Sequence, residues 1–323
     1  RSLLSRSAAA GILAPLGASA AGQSSLGQSP AEQSLQPQAA PKKLRVLMLG
    51  GTGFLGPAVV ERALERGHEV TLFNRGRTNP KMFPGLKRLK GDRNKGDYAS
   101  LEGQEFDVVV DTTAYVPGHV TAAIKALKGN CKHYSMVSSI SVYPSFGEEA
   151  IDVDESTPTA EVPAEFVEKA KTIRDAIPQY GGMKKLCEEA AEAALPGKVV
   201  NIRAGLIVGP RDRSDRFTWW PVRFDRGGEV LAPGDPQARI QAVDVRDLGN
   251  WIVHCFEESV TGIYNATGYL GTVTMADLMH GCKNATSKPV TITWADDEFL
   301  LENKVRPWMQ MPMWLTAKGN TYA

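Results

Sequence analysis

The stretch "LMLGGTGFLGPAVV", residues 47–60, decides the fold. A short apolar run stops at glycines, and an amphipathic pattern begins directly behind them. Gly50, Gly53 and Gly56 give G-x-x-G-x-x-G between an expected strand, "LRVLML", and an expected helix, "FLGPAVVERALERG". In that helix Val59, Val60, Ala63 and Leu64 share one face, and Glu61, Arg62, Glu65 and Arg66 the other. Pro57 is tolerable in a first turn, where no N–H has a partner to lose. Between a strand and a helix each glycine has a physical reason. The first permits a tight turn, the second lets the backbone approach a pyrophosphate, and the third allows close helix–strand packing. The helix start adds free N–H groups and the positive end of a dipole. Gly50, Gly53, Phe54, Leu55 and Gly56 are therefore the expected phosphate cradle of a dinucleotide.

Outward from this loop, strands and helices alternate. "HEVTLF", "DVVVDTT" (107–113), "HYSMVSS" (133–139) and "KVVNIRA" (198–204) read as strands, with helices near 119–128 and 179–195. Unbroken Val/Ile/Leu runs indicate strands buried on both faces. The expected fold class is α/β, a doubly wound parallel sheet of Rossmann type. After about residue 205 the rhythm loosens into the turn-rich, aromatic "GPRDRSDRFTWWPVRFDRGGEVLAPGDP". The expected organisation is an arm and linker over 1–43, a dinucleotide-binding domain over 44–205, and a smaller, irregular substrate lobe over 206–323. Residues of about 238–268, containing "IQAVDVRDLGNWIVHCFEE", are expected to return to the first domain.

The cofactor's ribose partner should lie about 20 residues beyond the glycines, and an NAD site usually has Asp or Glu there. Here "TLFNRGRT" places Asn74 at the end of the second strand, followed by Arg75 and Arg77. No carboxylate repels a 2′-phosphate, and Arg75 can pair with one. NADP is favoured, with NAD the alternative. Asp92, in "KGDR", falls where a third strand should end and faces the expected adenine edge. Thr112, in "DVVVDTT", completes the cofactor set.

Chemistry is suggested by "YGGMK". Tyr180 and Lys184 lie four residues apart, on one face of a helix. An ammonium near a phenol favours the phenolate, lowering a pKa normally near 10. Such a phenol can exchange a proton with a substrate oxygen while a nicotinamide exchanges hydride. "MVSSISVY" ends a strand with hydroxyls at Ser138, Ser139 and Ser141, one of which can hydrogen-bond the reacting oxygen.

On "GGTGFLG", "VSSISVY", "YGGMK", "RAGLIVGPRD" and "VDVRDL", in that order, residues 44–280 resemble the extended short-chain dehydrogenases/reductases, also called the NAD-dependent epimerase/dehydratase family. Within that family "VTLFNRGRT" looks closest to bacterial isoflavone-reductase-like members and to the chloroplast stem-loop-binding relatives. The resemblance implies Ser139, Tyr180 and Lys184 as the catalytic set. Tyr180 is the acid/base, Lys184 lowers its pKa and binds the nicotinamide ribose as well, and Ser139 orients the substrate oxygen. Two departures narrow the chemistry. Ser139-Ile140-Ser141 replaces the Thr-Asp-Glu of the dehydratases, so no acid and base are evident for water elimination. Leu206 replaces an Asn common in nucleotide-sugar epimerases. Phe217, Trp219 and Trp220 suit a planar ligand or the apolar face of a sugar, and equally the core of the lobe.

The expected function is NAD(P)-dependent hydride transfer at a carbonyl or secondary alcohol of a small-molecule substrate, sugar-like or planar. The alternatives are an epimerase that retains its cofactor and a non-enzymatic RNA-binding relative. A formal net charge of +1 over 323 residues gives no bulk reason to bind nucleic acid or an anionic membrane. Cys131, Cys187, Cys255 and Cys282 are far apart and read as free, buried thiols. Histidines are scattered without HxxxH or HxH, and no metal site is expected. The arm "RSLLSRSAAAGILAPLGASAAG" has arginines, a short apolar stretch and Ala18-Ser19-Ala20, the anatomy of an export signal. "RSLL" resembles the tail of a twin-arginine motif, which suits a route for folded, cofactor-loaded proteins. The apolar stretch is too short and too broken to span a bilayer. Export is the expected localisation, with the cytoplasm the alternative. An ordered arm would instead serve a homo-oligomer.

Overall fold

The computed structural model of the chain describes residues 40, 42–144, 153–268 and 271–316. Residues 1–39, which hold the expected export signal and most of the linker, lie outside the described residues.

The strands of the first half are β1 (Arg45–Leu49), β2 (Glu69–Asn74), β3 (Lys87–Lys90), β4 (Val108–Asp111), β5 (His133–Ser139) and β6 (Val199–Ala204). They are followed by β7 (Ile207–Val208), β8 (Gly228–Pro233), β9 (Arg239–Ile240), β10 (Val243–Asp244), β11 (Gly262–Ala266), β12 (Val273–Thr274) and β13 (Val290–Ala295). The helices are α1 (Leu55–Glu65), α2 (Pro117–Ala126), α3 (Ala164–Lys169), α4 (Ile173–Ala176), α5 (Tyr180–Ala194), α6 (Trp219–Asp225), α7 (Val245–Glu257), α8 (Met275–Asn284) and α9 (Asp297–Glu302).

Seven strands form one sheet in the order β11-β6-β5-β4-β1-β2-β3. Every neighbouring pair in it is parallel. The chain runs outward from β1 to β3, then returns to place β4 on the other side of β1. That reversal opens a crevice beyond the carboxyl ends of β1 and β4, where ligands of such sheets bind.

The pleat of β1 divides its side chains between two cores. Val46 and Met48 pack with Val59, Val60 and Ala63 of α1 and with Leu248 and Ile252 of α7. Leu47 and Leu49 pack on the other face with Val120 and Ile124 of α2 and with Cys187 and Ala191 of α5. Each fully buried aliphatic side chain stabilises this sandwich by about 1.5–3 kcal/mol. The sheet is thus doubly wound, as the apolar runs imply. The four cysteines are free and buried.

A third core, built on β8 paired with β13, gathers Trp220, Phe224, Val230, Met275, Met279, Leu300 and Trp314. Its two fully buried indoles are satisfied. Trp220 Nε1 donates to the Pro312 carbonyl at 2.7 Å, and Trp314 Nε1 to Asp297 Oδ1 at 2.7 Å. Trp220 is therefore lobe core, while Trp219 is half-buried against it, edge to face.

Candidate active site

The loop between β1 and α1 shows which glycines packing demands. Gly50 and Gly51 have φ of +119° and +75°, in the region that favours glycine. A Cβ on Gly50 would lie 2.3 Å from Thr112 Oγ1, and one on Gly56 would lie 2.6 Å from the Gly51 Cα. Helix α1 therefore starts pressed against the turn. A Cβ on Gly53 would meet nothing within 4 Å, so the outer side of the loop is open. Helix α1 has no side-chain cap and no acidic residue in its first turn, which leaves its first N–H groups without competition from side chains. These features fit a pyrophosphate. Leu55 is buried in the core, so its contribution there is its backbone N–H. Phe54 is half-buried against the same core. Gly51 was not anticipated from the spacing, although the quoted sequence shows it.

The end of β2 is tied to this loop. Asn74 Oδ1 accepts from Gly76 N at 2.9 Å, and its Nδ2 donates to the Gly50 carbonyl at 3.4 Å. Arg75 and Arg77 are exposed, with no hydrogen bond or ion pair among the described residues. Asn79 Nδ2 donates to the Thr52 carbonyl at 2.9 Å, and its Oδ1 accepts from Arg213 at 3.0 Å. Thr112 Oγ1 donates to the Leu49 carbonyl at 3.1 Å, which joins the ends of β4 and β1. Asp92, half-buried, caps a short turn by accepting from Asn94 N at 3.1 Å.

The neighbour of Asp92 carries a larger role. Arg93 donates to both carboxylate oxygens of Asp111, at 2.7 and 2.8 Å, and to Thr113 Oγ1 at 2.7 Å. Asp111, at 0% exposure, also accepts from the Tyr134 hydroxyl and from Thr113 N, each at 2.8 Å. Burial alone would raise the Asp111 carboxyl. Arg93 and these donors outweigh it and hold the group below the usual carboxylate range. The sequence signal was present: an Asp at the end of a Val run needs a buried cation.

The expected catalytic residues meet at the ends of β5 and α5. Ser139 Oγ accepts from Ser141 N and donates to Ser141 Oγ, both at 3.1 Å. Tyr180 opens α5, and the Ser139 hydroxyl near its phenol favours the ionised form. Two glycines make this approach possible. A Cβ on Gly181 would lie 1.7 Å from the Ser141 carbonyl oxygen, and one on Gly182 2.2 Å from Val162 Cγ2. The "GG" of "YGGMK" is therefore a contact surface: Gly181 lets the first turn of α5 press onto the serine turn, and Gly182 lets it press onto Val162.

Lys184 departs from expectation in one respect. Its buried ammonium donates to the Ala114 carbonyl at 2.7 Å and to the Val137 carbonyl, and lies 5.1 Å over the Tyr115 ring. Burial pulls its pKa below the ordinary value. The Tyr180 pKa is raised, because burial outweighs the influence of the Ser139 hydroxyl. The expected direct lowering by Lys184 is absent from this arrangement, since the ammonium is directed at the two carbonyls. Tyr115, also unanticipated, sits 6.1 Å from the Tyr180 ring and is pushed up to about 12 by burial. Ser138 points away from this site, its hydroxyl donating to Glu188.

A cavity of about 970 Å³ lies on the α7 side, lined in part by Phe217, Leu248, Trp251, Leu278 and Met313. Its lining includes none of Ser139, Tyr180, Lys184 or the glycines of the cofactor loop. Among the described residues no group of His, Cys, Asp and Glu could hold a metal ion, and no helix is long and apolar enough to cross a membrane.

Comparison with known proteins agrees with this geometry. The chloroplast stem-loop binding protein of 41 kDa b of Arabidopsis thaliana is 27% identical over 271 residues, covering 76% of this chain and 64% of that protein. The 2-alkyl-3-oxoalkanoate reductase of Shewanella oneidensis is 29% identical over 197 residues, covering 56% of this chain and 49% of that protein. The matches thus span less than two thirds of these relatives' lengths. In fold, the human epimerase family protein SDR39U1, solved with NADPH, superposes with a TM-score of 0.56 at 21% identity, over 83% of this chain and 88% of that one. The NAD dependent epimerase/dehydratase family matches residues 46–267, most of the sheet together with the glycine loop and the Ser139–Tyr180–Lys184 cluster, and the chain belongs to that family.

Proposed function

We propose that this protein is an NADP-dependent oxidoreductase of the extended short-chain type, acting at a carbonyl or secondary alcohol of a small molecule. The observation that carries this reading is the placement of Ser139 and Tyr180 at the carboxyl edge of the sheet that also carries the open glycine loop. Gly50–Gly56 and the start of α1 would hold the pyrophosphate, and Arg75 a 2′-phosphate. When bound, the nicotinamide supplies or accepts the hydride. Tyr180 Oη holds the proton exchanged with the substrate oxygen, and Ser139 Oγ orients that oxygen. Burial keeps the phenol protonated at neutral pH, which suits a proton donor in the reductive direction. Two of the three Lys184 N–H donors are fixed on Ala114 and Val137, and the third remains for a ribose hydroxyl.

The test is a mass spectrum of any nucleotide carried by the purified protein, then a screen of ketones and aldehydes for NADPH oxidation. Bound NADP(H) with turnover on a carbonyl supports the reading. A protein that binds neither dinucleotide overturns it. RNA binding, suggested by the name of the Arabidopsis relative, predicts instead a steep loss of RNA affinity with salt. We further propose export for the arm over residues 1–43. Its test is cleavage near Ala20 in a secreted or periplasmic fraction, and an uncleaved cytoplasmic chain overturns it.

A further inference from the structure

The loop behind β7, "GPRDRSDRFT" (209–218), leads into α6, whose Trp220 is buried in the third core. Its middle reaches away from that core. Arg211 donates to both carboxylate oxygens of Glu61 on α1, at 2.7 and 3.2 Å. Arg213 donates to Asn79 Oδ1 at 3.0 Å. The loop therefore ties the lobe to the two elements that flank the glycines, the helix that follows them and the turn after β2.

Asn79 is the link. A guanidinium only donates and a backbone carbonyl only accepts, so its two partners fix the orientation of the amide. Oδ1 takes Arg213, and Nδ2 grips the Thr52 carbonyl at 2.9 Å. Thr52 precedes Gly53, whose outer side is open. Arg213 is thus joined by two hydrogen bonds to the open side of the phosphate loop. No carboxylate pairs with it among the described residues, and most of its N–H donors stay unused.

The backbone here is held against its preference. Asn79, Arg211 and Asp215 have φ of +43°, +73° and +52°. Asparagine and aspartate tolerate the left-handed region, and an arginine does not favour it. Such conformations persist where surrounding contacts over-determine them, and they cluster at ligand clamps. Asp212 Oδ1 accepts from Ser214 N at 2.9 Å and from Ser214 Oγ at 2.6 Å, and Arg216 donates to the Ile207 carbonyl at 3.2 Å. The Arg211–Glu61 pair is 42% and 41% exposed, and pairs so open to water contribute little to folding. Its effect is positional: it holds Arg213 beside the glycine loop.

We propose that residues 209–216 are a strap across the cofactor loop, in which Arg213 binds a phosphate of the dinucleotide and slows its release. The strap rests on the dinucleotide site of the proposed function. It adds to that site a charged residue from the other lobe, about 160 residues beyond the glycines, whose guanidinium suits a phosphate oxygen.

The full chain is loaded with NADPH, and release into excess NADP is followed by stopped-flow fluorescence. Arg213→Ala should raise the release rate by about tenfold or more, with the melting temperature of the unliganded protein unaltered. Arg213→Lys should recover part of the loss. Arg211→Ala and Glu61→Gln should each raise the rate by about threefold, and the double variant no further, because both open one clasp. A larger effect on NADPH than on NADH assigns the contact to the 2′-phosphate, and an equal effect assigns it to the pyrophosphate. Release within about twofold of the parent in a folded Arg213→Ala protein, or a lowered melting temperature without faster release, would make the loop a structural tie and overturn the strap. Faster release in a protein without carbonyl turnover would support the strap and remove the oxidoreductase reading. A chain that binds neither dinucleotide removes both.

Discussion

The carboxyl edge of the sheet has two halves made in different ways. Beside β1 and β2, the cofactor half consists of backbone, glycine and short polar links, with Arg75 and Arg77 exposed beyond it. Beside β4, β5 and β6, the chemical half rests on buried charge. Asp111 is locked to Arg93, Lys184 to two carbonyls, and Glu188 to Arg203. The first half leaves its N–H groups and guanidinium groups available. The second uses contacts between distant residues to fix a phenol and a hydroxyl at the same edge. Under the proposed function, binding would rest mostly on the loop itself, and orientation of the reacting groups on contacts between distant residues.

The sharpest way to break this contrast is Tyr180→Phe. It removes one oxygen from the chemical half and nothing from the cofactor half. Turnover should fall by about 10²–10⁴ while the NADPH dissociation constant stays within a few-fold. Unchanged turnover, measured once a substrate is known, would remove the catalytic role of Tyr180. Asp111→Asn should lower unfolding free energy by roughly 3–5 kcal/mol, because it leaves Arg93 buried without its carboxylate. Urea unfolding measures this, and a loss below about 1 kcal/mol would mean the pair is not the lock described.

The opposite, amino end of β5 should carry a pH signature. Burial pushes His133 down to about 4, so the folded chain keeps it neutral. As pH falls below the usual 6.5, the unfolded chain takes up a proton that the folded chain refuses. Its contribution is complete above pH 6.5 and is lost as pH falls toward 4, by about 2 kcal/mol at pH 5. His133→Gln should flatten that slope between pH 7 and 5, and an unchanged slope would assign it elsewhere. Gly181→Ala should destabilise by about 1–3 kcal/mol although alanine favours helix, because its Cβ meets the Ser141 carbonyl. Circular dichroism melts decide the sign. Arg75→Ala, in the cofactor half, should leave the melt unaltered and weaken NADPH relative to NADH by roughly 1–3 kcal/mol. Equal weakening of both cofactors would remove the 2′-phosphate role.

Sequence alone determined the parallel sheet, the glycine loop and the pairing of Tyr180 with Lys184 on one helix. Those features depend on neighbours within a few residues: apolar runs, a strand–turn–helix boundary and helical spacing. Tertiary structure decided the rest. Lys184 takes its acceptors from Ala114 and Val137, 70 and 47 residues away, so its orientation could not follow from the i, i+4 spacing to Tyr180. Arg93 gains its role only where β4 places Asp111 beside it, 18 residues on. Gly181 and Gly182 gain their role only where the Ser141 carbonyl and Val162 press against them. Local pattern fixes which elements form and which faces they bury. Desolvation and close contact between distant strands then set where a buried charge points and which hydroxyl meets the phenol.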